Sequence, residues 1–286
     1  MNKLIYANFS RLWKSKIFWI GLILTDLLAV WILADRIHFK MISGYQLSSD
    51  DMIFSGTVTL PFVAAVVISI FVGTEYSDGT IRDKLIAGHS RHSIYFANLI
   101  TSTAAVFIIY TSYLLIIVCA GIPLVGNFAA PIKILLANFI INFVALASLS
   151  AILLLLCMLI PSKAIAAVSS LILVLIIFFS TMTSVQILEA PEYYEGYTWL
   201  DEESGMIEQD EEPHKNPSYL PEGSLKRKIL ETWIDISPLG QVYQYGNIES
   251  QTSVPKDLPK PLLYSFGIIA VTLIFGIIQF RRQNLK

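Results

Sequence analysis

The chain has 286 residues, 55% of them hydrophobic and only 15% charged, with a formal net charge of −2. Soluble domains carry about 25% charged residues, so too few polar side chains are present to coat a soluble surface. Two cysteines, Cys119 and Cys157, both inside apolar runs, give neither a disulfide framework nor a metal-type spacing.

Residues 3–16, KLIYANFSRLWKSK, open the chain order. Ile5, Phe9, Leu12 and Trp13 share one helical face while Lys3, Arg11 and Lys14 point elsewhere. Basic residues beside an aromatic-rich face suit a helix lying on an anionic leaflet; the plainer alternative is a positive flank extending the first span. Six apolar runs follow, at 17–34, 54–72, 94–120, 132–160, 164–185 and 262–280. A membrane-crossing helix needs roughly 20 apolar residues. The runs are continuously apolar instead of alternating, which predicts helices over barrel strands. The first run contains Asp26 and lacks a small-residue cleavage site, so it reads as a retained span and not a leader. Pro161, Ser162 and Lys163 alone separate spans four and five, which predicts a tight hairpin.

Basic residues accumulate on cytoplasmic flanks. With the first residues inside, the inner side holds Lys3, Arg11, Lys14, Lys16, Arg82, Lys84, Arg91, Lys163, Arg281, Arg282 and Lys286 against Glu75, Asp78 and Asp83. The expected location is the cell membrane, multi-pass, with both termini cytoplasmic. The long 186–261 connector then lies outside. Its stretch from Glu189 to Glu212 carries ten acids and no Lys or Arg. A short helix is expected at 225–236, a break at Pro238–Gly240, then a second short helix or re-entrant piece.

The sequence has no phosphate-binding loop. Gly121 and Gly126 have the glycine spacing, but Asn127 and Phe128 stand where Lys and Ser/Thr are required. No His-Glu-x-x-His run exists, and His89 with His92 lack further ligands. Asp26 is the clear ionisable residue inside a span and so a substrate-path candidate, with a helix–helix hydrogen bond as the alternative. Asn138 and Asn142, one turn apart, pose the same choice.

The connector between spans two and three, GTEYSDGTIRDKLIAGHSR (73–91), is dense in charge, and Ile81, Leu85 and Ile86 recur at helical spacing. Glu75 at the end of span two, then Gly79-Thr80, the Leu85-Ile86 pair, and Ser90-Arg91 entering span three resemble the ABC-2 family of ATP-driven permeases; a proline usual near Gly88 or His89 is missing. Six spans, a basic opening helix and a long fifth connector match that layout. The resemblance implies an all-α integral membrane fold of the type V exporter kind, a single transmembrane domain over 1–286 with an interfacial helix (1–16), a cytoplasmic coupling segment (73–93) and an extracellular loop with short helices (186–261). It implies that Glu75, Asp78, Gly79, Thr80, Ile81, Arg82, Leu85, Ile86 and Arg91 couple the chain to a separate ATP-binding subunit, present in two copies. Glu75 is expected to pair with Arg82 or Arg91. The chain itself would then hold no cofactor, ATP and magnesium being bound by the ATPase. A second permease chain, identical or related, and membrane lipid complete the expected partners, with no nucleic acid. The acid-rich connector suggests a cationic amphipathic peptide as cargo, against a loop that is simply solvated. An intramembrane enzyme, a protease or lipid-modifying transferase, would need clustered catalytic groups at membrane depth. A membrane sensor would need a signalling domain.

Overall fold

The computed structural model describes residues 1–44, 48–194, 198–200, 207–209, 213–246 and 258–282. Helix α1 (Asn2–Lys14) stops at Ser15, whose extended backbone (φ −77°, ψ 117°) redirects the chain into α2 (Lys16–Ser43). Gly44, at φ 68°, closes α2. Helix α3 (Asp50–Ile53) and a 3-10 turn (Ser55–Thr59) lead into α4 (Leu60–Ser77), with Pro61 in the first turn where its missing N–H costs nothing. The short α5 (Thr80–Ile86) precedes α6 (Arg91–Ile116), which runs through a π-helical turn, Ile117–Gly121, into α7 (Ile122–Leu124). Then come α8 (Ile132–Leu159) and α9 (Lys163–Glu189). Two small antiparallel pairs follow: β1 (Tyr193–Tyr194) with β4 (His214–Lys215), and β2 (Thr198–Leu200) with β3 (Ile207–Gln209). Helices α10 (Leu225–Ile236), α11 (Pro238–Gln244) and α12 (Pro259–Arg282) complete the described chain.

Among the described residues, six helices are long and apolar enough to cross a membrane: 16–43, 55–77, 91–124, 132–159, 163–189 and 259–282. All six correspond to the apolar runs. Most are longer than the run, because backbone hydrogen bonding continues past the first charged residue; α2 proceeds through Asp35, Arg36 and Lys40. Of the acid-rich stretch 189–212, residues 195–197, 201–206 and 210–212 lie outside the described residues.

The bundle is built around α4 and α8. Two thirds (67%) of each one's most apolar window is buried, against 28% for α2 and α9 and 17% for α12. Small residues permit this packing. Ala145, Ser148 and Ser150 are buried on α8, and α2 crosses α4 where Gly21 meets Val67. At one end, Lys40 Nζ donates to the carbonyls of Leu124 (3.2 Å) and Val125 (2.6 Å), and Asp50 accepts from the amides of Ala129 and Ala130. The expected break at Pro238–Gly240 is instead the first turn of α11. The break is Ser237 alone, whose hydroxyl caps the Gly240 amide, with proline at the helix start where it is tolerated. Gly240 is needed there, since a Cβ would sit 2.2 Å from the Ile234 carbonyl oxygen.

Candidate functional site

The connector after the second span is one short helix set between two glycines. Gly79 (φ 73°) turns the chain into α5 and Gly88 (φ 86°) turns it out again, a conformation that side chains with a Cβ resist. Thr80 Oγ1 donates to the Glu75 carbonyl at 3.1 Å, filling an otherwise orphaned acceptor at the end of α4. Ser90 caps α6 by accepting from the Ser93 amide at 3.2 Å.

A polar cluster is closed off beneath α5. The Glu75 side chain is 0% exposed and pairs with Arg11 Nη1 at 2.5 Å. Lys84 Nζ binds the same carboxylate oxygen, and Asn98 Nδ2 donates to the other at 2.7 Å. Asn8 ties the ring together: its Nδ2 donates to Asn98 Oδ1 at 2.7 Å, and its Oδ1 accepts from Lys84 Nζ at 2.9 Å. The Arg11 guanidinium also lies over the Phe71 ring, 4.0 Å from the centroid. Four helices, α1, α4, α5 and α6, therefore meet at one carboxylate. Burial draws the Lys84 ammonium below its ordinary pKa, opposed by the Glu75 charge and reinforced by Arg11. Burial likewise lowers Arg11, again against the pull of Glu75. Two cations share a single buried anion, and a charge held away from water is costly unless paired and hydrogen-bonded.

The expected partners of Glu75 are corrected by this geometry. Arg82 sits on the exposed side of α5. Arg91 turns toward α12, where Nη1 donates to the Phe280 carbonyl and the guanidinium lies 5.5 Å from that ring's centroid. The three apolar residues at helical spacing also divide. Ile81 is 2% exposed and Leu85 packs against the core, whereas Ile86 is 78% exposed. Asp78, Arg82, Asp83 and Ile86 thus share the open side of the connector, and Glu75, Thr80, Ile81 and Leu85 its closed side. Helix α1 differs in the same way. Its buried face is Leu4, Asn8 and Leu12 with Arg11 turned inward, and Trp13 is about half exposed, at 47%. Composition alone hid Asn8, Arg11, Lys84 and Asn98. The available signal was the Leu4–Asn8–Leu12 spacing, which places an amide in the middle of an apolar stripe.

The substrate-path candidates lie elsewhere. Asp26 Oδ1 accepts from Ser112 Oγ at 2.7 Å, a bond from α2 to α6. Asn138 and Asn142 are fully buried on α8, and Asn142 Nδ2 donates to the carbonyls of Asn138 (2.9 Å) and Tyr245 (3.0 Å). Asn142 thereby fastens the end of α11 to the bundle. Asp26 is thus held by α6 and Asn142 by the end of α11, two different parts of the bundle. Cys119 and Cys157 are both free, Cys119 exposed and Cys157 buried.

A family model described as ABC-2 family transporter protein matches residues 4–187, from α1 almost to the end of α9. The chain belongs to the ABC-2 family. It is a multi-pass membrane permease of an ABC transporter, a transport subunit of a family that works with an ATP-binding subunit. No curated protein matches it. The matched region of this ABC-2 permease contains the whole Glu75 cluster and the connector above it, and α10 to α12 lie beyond it.

Proposed function

We propose that this permease is the membrane half of an ATP-driven exporter and that α5 is its coupling helix, docked on a separate ATPase that binds ATP and magnesium. The observation that carries this reading is the two-sided connector. One side is braced through Glu75 to α1, α4 and α6, and the other offers Asp78, Arg82, Asp83 and Ile86. A mixed-charge surface around one apolar side chain suits a partner groove, with charge setting register more than affinity. Because α5 is braced and not loose, a push on it reaches three helices together, which supports rigid-body rocking of the bundle.

The assembly is two permease chains, identical or related, with two ATPases. The little-buried faces of α2 and α9 support a second chain packing there. Between them, Ile20, Gly21, Leu24, Phe62, Val63 and Leu171 line an apolar groove of about 230 Å³. The excess of basic residues at the α5 end supports a cell-membrane orientation with both termini on the cytoplasmic side. Helix α1 then lies at the inner leaflet, with Tyr6 and Trp13 toward lipid. The cargo class is hydrophobic or amphipathic. The ten acids of 189–212 support a cationic antimicrobial peptide, which a negative outer surface would concentrate.

The decisive experiment uses Ile86→Asp combined with Arg82→Glu. Both side chains are exposed, so the purified permease should keep its thermal stability and lose the co-purifying ATPase. A variant that retains the ATPase removes the docking reading. Separately, unchanged peptide export after neutralising the 189–212 acids removes the peptide cargo.

A further inference from the structure

A second feature sits where α6 starts and α12 finishes. The last turn of α12 carries Arg281 and Arg282, and the first turn of α6 carries Arg91 and His92 with no acid among them. The two helix ends are pinned together by Arg91 on the Phe280 carbonyl and ring. Tyr95, fully buried, fits against Gly276 one turn deeper. Arg281, Arg282 and His92 remain exposed. The pin thus holds a cluster of cationic and hydrogen-bonding side chains at the mouth of the α6–α12 seam.

Farther along the same seam the helices part. A groove of about 400 Å³ opens between α6, α8 and α12, lined by Ile100, Thr103, Phe107, Phe143, Ala147 and Ile269 among others. On α6 the exposed positions His92, Phe96, Ile100 and Phe107 follow helical spacing, so one continuous face leads from the basic cluster to the groove. The groove begins near Leu99, about 12 Å of helical rise from Arg91. One leaflet's hydrocarbon is about 15 Å deep, so an acyl chain whose phosphate is level with Arg91 ends inside the groove.

We propose that the α6–α8–α12 groove and the Arg281–Arg282–His92 cluster form one site for an anionic phospholipid, the acyl chain in the groove and the phosphate on the arginines. Basic pockets between spans select anionic headgroups, and here the pocket continues into an apolar slot of matching depth. The lipid clasps α12, the least buried of the six spanning helices, to α6. This site involves neither α5 nor its docking surface, so it stands or falls apart from the ATPase reading.

The test is native mass spectrometry of the full chain in mild detergent, with phosphatidylglycerol and phosphatidylcholine of identical acyl chains and inorganic phosphate as competitor. The wild type should retain phosphatidylglycerol in preference. Arg281→Gln with Arg282→Gln should weaken that retention about fivefold per arginine, about 25-fold together. Ala104 also lines the groove, and Ala104→Trp, which fills it and leaves the arginines, should lower retention of both lipids. Equal retention of the two lipids by the wild type overturns the site, as does undiminished phosphatidylglycerol on the double arginine variant. Displacement by millimolar phosphate would show that the headgroup alone binds and would equally overturn it. The arginines are exposed, so their variant folds even where Ala104→Trp does not.

Discussion

Arg11 and Glu75 pair at 2.5 Å between a helix beside the bundle and a carboxylate sealed inside it. Removing one partner of a buried pair costs far more than the pair contributes, because the remaining charge has no counter-ion. Glu75→Gln strands two cations, Arg11 and Lys84. The expected loss is about 3 kcal/mol, the low end for such sites, since the Arg11 side chain is 29% exposed. Adding Lys84→Met should recover about 1 kcal/mol, as coupled neighbours do. Thermal unfolding in detergent measures both. A Glu75→Gln protein as stable as the wild type would show that the cluster does not hold these helices together.

Two glycines of α12 separate packing from helix propensity. A Cβ on Gly276 would lie 2.2 Å from the Tyr95 hydroxyl, and Tyr95 is itself buried, so something must shift. Gly276→Ala should destabilise by about 1–3 kcal/mol, the usual cost of overpacking. Gly267 has open space where a Cβ would go, and Gly267→Ala should be neutral or stabilising by up to about 1 kcal/mol. Opposite melting-temperature shifts of the two variants are the expected result.

Lys84 gives a pH dependence of definite sign. Its folded pKa is lowered by burial from the ordinary 10.5. Between the folded value and 10.5 the unfolded chain holds the extra proton, so this group makes stability rise with pH across that window. Lys84→Arg, which keeps its proton throughout, removes the contribution. The difference in melting temperature between wild type and Lys84→Arg should therefore shift in favour of the wild type as pH is raised through the window, and a flat difference refutes it.

The spans were legible because lipid allows few alternatives to a continuous apolar helix, and α10 was legible to the residue from its amphipathic spacing. The π-helical turn at Ile117–Gly121 was not, since nothing in Ile-Val-Cys-Ala-Gly distinguishes it from ordinary helix. In the connector, helix and bounding Gly79 were readable, but the side each residue faces was not. Ile81 and Ile86 look alike in sequence, and only the packing of α5 against α4 and α6 buries the first and leaves the second in the open. Glu75 was singled out and its partners misassigned, because local sequence offered Arg82 and Arg91. The true partner Arg11 comes from a helix whose aromatic residues drew attention to its opposite face.

The Asn8–Asn98 and Arg11–Glu75 bonds turn the stretch between Asn8 and Lys16 into a ruler. Each inserted or deleted residue rotates a helix by about 100°, which would swing the amide and the guanidinium off their mates. Tolerance to engineering in this stretch should accordingly follow angular phase instead of chemical similarity: a one-residue insertion harms more than several substitutions on the outward face.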